Sequence, residues 1–122
     1  MKISDMSVDE WLLTYGPKAR RNLQLYIDYM EEHHSDITPV ISFDQLTYPL
    51  GGGKGRTSMG IVAGKNYVAI HSPDSAYLNV MREKLSRPGK AKGCVHFEFK
   101  NEDELAVAFE GIEELLRRAG LK

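Results

Sequence analysis

The sequence has 122 residues, a length that supports one domain with its own hydrophobic core, residues 1–122. Its 16 basic and 17 acidic residues give a net charge of −1, so no overall charge favours nucleic acid or a membrane surface. Cys94 is the only cysteine, which excludes an intramolecular disulfide. No run approaches the roughly 18 apolar residues of a membrane span, and the first residues lack the apolar segment of a signal peptide. We therefore expect a cytoplasmic protein.

Two helices are predicted at the start of the chain. Ser7 and Glu10 form a capping box, which predicts a short helix that stops near Gly16. Pro17 suits the first position of a second helix, which should end around Ser35. The predicted buried face of this second helix has spacings of three and four: Leu23, Tyr26, Ile27, Met30 and His34.

Three strands are predicted next. The first lies within Val40–Tyr48, and a glycine-rich run, residues 48–60, follows it. The second and third are Thr57–Ala63 and Tyr67–Ser72, and Gly64–Asn66 reads as the hairpin turn between them. The glycine-rich run is then interpreted as a flexible hairpin loop.

The remaining elements are a helix, a strand and a long helix. Ser72 is predicted to cap the first of these helices, with Pro73 at its first position. A loop, residues 86–93, leads into Cys94–Phe99, where Val95, Phe97 and Phe99 alternate with Cys94, His96 and Glu98. Asn101 is predicted to cap the last helix, with Glu104 completing the box and Gly120 at its end.

The order α-α-β-β-β-α-β-α predicts an α+β fold. Consecutive short strands between helices favour a small antiparallel sheet of about four strands. Helices would pack on one face of this sheet, and the other face could stay polar and open.

The sequence resembles the YdhG-like family of small bacterial proteins over nearly its whole length. The family pattern opens with V-D-E and an aromatic residue, as in Val8–Trp11, and its first strand reads I-S-Y-G-M-P, where Ile41–Phe43 matches and DQL replaces G-M-P. Its lysine turn and aliphatic strand resemble Ala63–Ser72. A later G-K-x-x-x-G-x-x-x-F matches Gly89, Lys90, Gly93 and Phe97. The family is catalogued as a domain of unknown function, and the resemblance implies similarity to frataxin-like iron chaperones.

Acidic residues at the end of the second helix are candidate metal ligands. Asp28 and Glu32 repel each other at i,i+4, and the helix macrodipole disfavours acids at this end. A cation would relieve this repulsion, and oxygen and imidazole ligands suit iron. The candidate set is Asp28, Glu31, Glu32, His34 and Asp36. The alternative is a solvated helix end with His34 at the edge of the core.

The glycine-rich run does not match a phosphate-binding loop. A Walker A sequence requires Gly at position 48 and Ser or Thr at position 55, where this chain has Tyr48 and Gly55. Strand-forming residues also follow, whereas a phosphate loop precedes a helix. Lys54 and Arg56 remain candidates for a looser anion contact.

A second candidate site combines a basic loop with the predicted open sheet face. Lys90 and Lys92 lie in the basic segment 82–92, and a basic loop suits an acidic ligand. His71 and His96 lie on predicted strands, although the sequence does not show whether they meet each other or Cys94. The ligand-binding candidates are Lys54, Arg56, His71, Lys90, Lys92 and His96. The alternatives are a solvated loop and a polar face whose residues act separately.

These patterns favour binding over catalysis, and no catalytic residue is predicted. The expected function is weak iron binding and delivery to an iron-accepting protein partner. The alternative is a module that binds a small acidic ligand with the basic loop and the open face. A third possibility is an enzyme with a site around His71, Cys94 and His96. We expect a monomer or a weak homodimer that binds neither nucleic acid nor a membrane.

Overall fold

The computed structural model of the protein describes residues 5–50 and 58–120. Its elements follow the chain order α1 (Val8–Leu12), α2 (Pro17–His33), β1 (Val40–Ser42), β2 (Gln45–Pro49), β3 (Ser58–Ala63), β4 (Tyr67–His71), α3 (Ser75–Arg82), β5 (Cys94–Glu98), a 3₁₀ turn (Glu102–Glu104) and α4 (Leu105–Arg118). None of the helices within these ranges is both long and apolar enough to cross a membrane.

The strands form one antiparallel sheet in the order β1-β2-β3-β4-β5. Each strand therefore pairs with its neighbour in sequence, and helix α3 lies in the β4–β5 connection. The predicted α+β class is confirmed, and residues 5–50 and 58–120 form five strands instead of about four.

The additional strand arises from a tight turn within the segment predicted as one strand. Phe43 and Asp44 have φ angles of 53° and 60°, the left-handed region that a two-residue hairpin turn requires. Asp tolerates this conformation and Phe does not favour it, so Phe-Asp is a weak turn signal. The indole Nε1–H of Trp11 donates to the carbonyl of Asp44 at 3.0 Å, which attaches α1 to this turn.

The helices cover one face of the sheet. Leu23, Tyr26, Ile27 and Met30 of α2 are buried as predicted, and α2 contacts β3 and β4. Helix α3 packs against β5 and α4. The sheet contributes alternate residues to the same core: Ile41, Leu46, Tyr48, Met59, Ile61, Val68, Ile70, Val95 and Phe97.

Two predicted helix caps are wrong, whereas the capping box of α1 and the terminal Gly120 are confirmed. Asp74 caps α3, because its Oδ1 accepts from the N–H of Tyr77 at 3.2 Å, and Ser72 Oγ instead accepts from the N–H of Asp74. Asn101 makes no side-chain cap. The Glu104 carboxylate accepts from both the N–H and the hydroxyl of Ser86. It therefore binds the loop between α3 and β5 and does not cap its own helix.

Candidate functional site

The second face of the sheet, named here the outer face, brings His71, Cys94 and His96 together. His71 pairs with Cys94 across β4 and β5, and Ala69 pairs with His96. The two histidines are therefore diagonal neighbours with side chains on the same face. His96 Nε2 lies 3.7 Å from the Cys94 sulfur. Strand order, which the sequence left open, places these three residues in one cluster.

This face is less open than predicted. Cys94 is only 5% exposed and Ala69 only 2%, whereas His71, His96 and Tyr67 are half-buried. The small side chains of Ala69 and Cys94 lie below the larger rings of Tyr67, His71 and His96 on the same face. The outer face is thus a shallow surface of half-buried rings over a buried thiol.

The imidazole of His96 is flanked by two residues that the sequence did not indicate as site residues. The Tyr67 ring stacks on it, with centroids 3.8 Å apart and an angle of 9° between the planes. Gly89 lies so close that a Cβ atom there would be 2.7 Å from His96 Nδ1. Its φ of +81° also favours glycine. Gly89, the first glycine of the G-K-x-x-x-G-x-x-x-F pattern, therefore has a steric role beside His96.

Arg82, the first residue of the basic loop 82–92, attaches the rest of that loop to the edge of the sheet. Its guanidinium donates to the carbonyl of Cys94 at 2.8 Å, to the carbonyl of Ala91 and to Oδ1 of Asn79. Backbone bonds hold the same loop: the N–H of His96 donates to Pro88, and the N–H of Ser72 donates to Gly93. Lys90 and Lys92, both exposed, are thereby held next to β5.

The surroundings of the cluster favour the uncharged forms of its three titratable groups. Burial lowers the pKa of His71, and the positive charge that His96 can carry lowers it further. Burial and then the Arg82 guanidinium lower the pKa of His96. Burial raises the pKa of the Cys94 thiol, and Arg82 opposes this only in part. Each neutral imidazole has one N–H donor and one acceptor nitrogen, and the thiol stays protonated.

The acidic candidates of α2 do not surround one point. Asp28, Glu31, Glu32 and Asp36 are exposed, and Asp28 accepts from the Gln24 side chain at 2.8 Å. His34 is 5% exposed, and its Nε2 lies 2.5 Å from Glu113 Oε2 of α4. The Tyr29 hydroxyl donates to the same carboxylate oxygen. Sequence reasoning missed Glu113, because its contact with His34 spans 79 positions in the chain.

Two of these candidates nevertheless share a cavity. Glu31 and His34 line a cavity of about 480 Å³ between α1, α2 and the segment before β1. Asp9 and Gln24 also line it. Across residues 5–50 and 58–120, no three His, Cys, Asp or Glu side chains are grouped so that they could hold a metal ion.

Two ligand-binding candidates fall in the glycine-rich run. Lys54 and Arg56 lie outside the described residues, as does most of that run. The outer face therefore brings together His71 and His96 of the six candidates, with Lys90 and Lys92 on the adjoining loop.

Comparison with known proteins supports the fold and does not extend to function. No family model matches this sequence, and no curated protein matches it. Among solved structures, a protein of the DUF1801 family from Bacillus subtilis, YdhG, is similar, with a TM-score of 0.69 and 12% sequence identity. The similarity covers 92% of this chain and 90% of that protein. The five-stranded antiparallel sheet and its helices thus form a YdhG-like fold.

Proposed function

We propose that this protein is a cytoplasmic binding module that holds a small anionic ligand at the outer face. The observation that carries the proposal is the convergence of His71 and His96 beside a basic loop attached by Arg82. The two imidazoles supply hydrogen bonds, and Lys90 and Lys92 supply positive charge. A polar group that is partly shielded from water makes stronger electrostatic contacts than one in bulk solvent.

Binding is favoured over catalysis by the state of the thiol. Nucleophilic cysteines act as thiolates, and their pKa is lowered by neighbouring positive charge. Burial raises the pKa of Cys94, and its side chain is only 5% exposed. The neutral imidazoles are suited to orienting a ligand by hydrogen bonds.

A thermal-shift screen with phosphorylated metabolites and small carboxylates tests the proposal. We expect a ligand that raises the melting temperature of the parent and loses this effect in the Lys90→Ala, Lys92→Ala double variant and in His71→Gln. Lys65→Ala, an exposed lysine on the β3–β4 turn, is the matched control and should respond as the parent does. Equal responses in the parent and all variants would contradict binding at the outer face.

A second candidate function is weak iron binding at the end of α2, followed by transfer to an iron-accepting protein. It is supported by the cavity that Glu31 and His34 share, since carboxylate and imidazole are suitable ligands for iron. Asp28, Glu32 and Asp36 lie on exposed positions of the same region, where their charge attracts cations.

Calorimetric titration with iron(II) tests this second candidate. We expect binding heat for the parent and a loss of that heat in the Asp28→Ala, Glu31→Ala, Glu32→Ala triple variant. A Glu102→Ala, Asp103→Ala variant, which removes exposed acids from the 3₁₀ turn, should bind iron as the parent does. Equal heats for the parent and the triple variant would overturn the proposal.

A further inference from the structure

A groove between α2 and the end of β5 is separate from both proposed sites. It consists of two cavities, each of about 300 Å³, which share Glu98 and Phe99. Known small-molecule sites measure roughly 300–1,000 Å³, so two adjoining cavities of this size can hold a small metabolite. Neither cavity is lined by His71, His96, Lys90 or Lys92, nor by the acids of α2.

One cavity, the apolar cavity, is lined mainly by hydrophobic side chains. Leu25, Tyr26, Phe97 and Leu105 contribute to its wall. Leu25 is 43% exposed although it is a large hydrophobic residue. Glu102 lies among the polar lining residues, and its charge repels an anionic group at this end of the groove.

The other cavity, the basic cavity, collects cations from separate parts of the chain. Lys18 comes from α2, Arg87 from the basic loop and Lys100 from the segment after β5. Among the described residues that line it, Glu98 is the one carboxylate, and Glu98 Oε1 accepts from the Asn101 side chain at 3.2 Å. Three cations against one carboxylate leave a positive cavity, and a bound anion relieves their mutual repulsion.

One face of helix α2 lines both cavities. Lys18, Asn22 and Leu25 recur at i, i+4 and i+7, so they form one stripe on the helix. This stripe runs from the basic cavity to the apolar one. Phe99 lines both cavities, and Lys18 Nζ lies 5.7 Å from the centre of its ring. The groove is therefore basic at one end and apolar at the other.

We propose that this groove binds an amphipathic anion. A compact anionic group, phosphate or carboxylate, contacts Lys18, Arg87 and Lys100. A small apolar body, such as an aromatic ring or short alkyl chain, lies against Leu25 and Leu105. Glu102 fixes the orientation, because it disfavours the anionic group at the apolar end.

Calorimetric titration with phenyl phosphate, inorganic phosphate and phenol tests the proposal, because these probes separate the contributions of the two cavities. We expect phenyl phosphate to bind at least about tenfold tighter than either fragment, a difference equivalent to about 1.4 kcal/mol. The Lys18→Ala, Lys100→Ala double variant should weaken phenyl phosphate binding by at least about tenfold. Leu25→Ser should weaken phenyl phosphate and leave inorganic phosphate unchanged. Phenyl phosphate that binds no tighter than inorganic phosphate would overturn the proposal.

Two further measurements keep this test separate from that of the outer face. The Lys90→Ala, Lys92→Ala variant should bind phenyl phosphate as the parent does, and a loss confined to that variant would overturn the groove proposal. In NMR spectra the side-chain amides of Asn66 and Asn101 should shift on addition of phenyl phosphate, since each lines one cavity. Unshifted amides would contradict the proposal even where a binding heat is measured.

Discussion

Gly89 lies against the imidazole of His96, so close that no larger residue fits without displacement of the ring or the loop. A Cβ atom at position 89 would lie within 2.7–2.9 Å of Nδ1, Cε1 and Cγ of His96. The ring has little freedom to move away, because Tyr67 stacks on it at 3.8 Å. This contact couples the basic loop to the cluster on the outer face.

Gly89→Ala should therefore destabilise the protein. A non-glycine residue in the left-handed region costs about 1–2 kcal/mol, and the contact with His96 adds to this cost. Urea unfolding measures the loss. Gly93→Ala is the matched control in the same loop, since a Cβ atom there meets no atom within 4 Å and its φ is not positive. Equal losses for the two variants would contradict the steric role of Gly89.

Stability should fall as the pH is lowered through the range in which histidines titrate. In the folded protein the pKa values of His71 and His96 lie below the ordinary value of 6.5. At a pH between the folded and the unfolded pKa, the unfolded chain therefore binds more protons than the folded protein. Their contribution to stability is present above pH 6.5 and is lost as the pH falls towards the folded pKa values. Urea unfolding between about pH 7.5 and 5.5 measures this slope, at values where most carboxylates stay ionised.

Two variants separate the outer-face histidines from the others. The His71→Gln, His96→Gln double variant should have a flatter pH dependence than the parent. His33→Gln, which replaces an exposed histidine at the end of α2, should keep the slope of the parent. A double variant as pH-sensitive as the parent would contradict this assignment.

Glu113→Ala should destabilise the contact between α2 and α4. The carboxylate binds the buried His34 imidazole and accepts from the Tyr29 hydroxyl. Leaving a buried polar group without its partner costs about 1–3 kcal/mol, which chemical unfolding can resolve. Glu114→Ala, on the neighbouring position of α4, removes an ion pair with Arg117 at the surface and should cost less. A larger loss for Glu114→Ala would contradict a structural role for Glu113.

Glu104→Gln should cost less stability than Glu104→Ala. Glu104 is 8% exposed, and its Oε2 accepts two hydrogen bonds from Ser86, whereas its buried Oε1 has no hydrogen-bond partner among residues 5–50 and 58–120. Gln keeps an acceptor oxygen for Ser86, whereas Ala removes both hydrogen bonds, each worth about 0.5–3 kcal/mol. Hydrogen exchange at the Ser86 amide measures the same difference locally. Equal exchange rates in the two variants would contradict this role.

Local sequence patterns determined most of the secondary structure. The Ser7–Glu10 capping box, the buried face of α2 and the alternation of Val95 and Phe97 against His96 depend on neighbours within a few positions. Helix and strand periods report such short-range preferences directly. The α+β class followed from the order of these elements, and the YdhG-like fold followed from the resemblance of short motifs to that family. The error in strand number came from the turn at Phe43 and Asp44, because Phe does not favour the left-handed conformation that this turn requires.

Only the tertiary structure decided which side chains meet. Strand order placed His71 beside Cys94, and helix packing placed Glu113 on His34, 79 positions away in the chain. Lys18 and Lys100 line the same cavity for the same reason. Such contacts depend on how the whole chain packs its apolar faces, and no local spacing records them. The sequence thus determined the elements and their buried faces, while packing decided the composition of each candidate site.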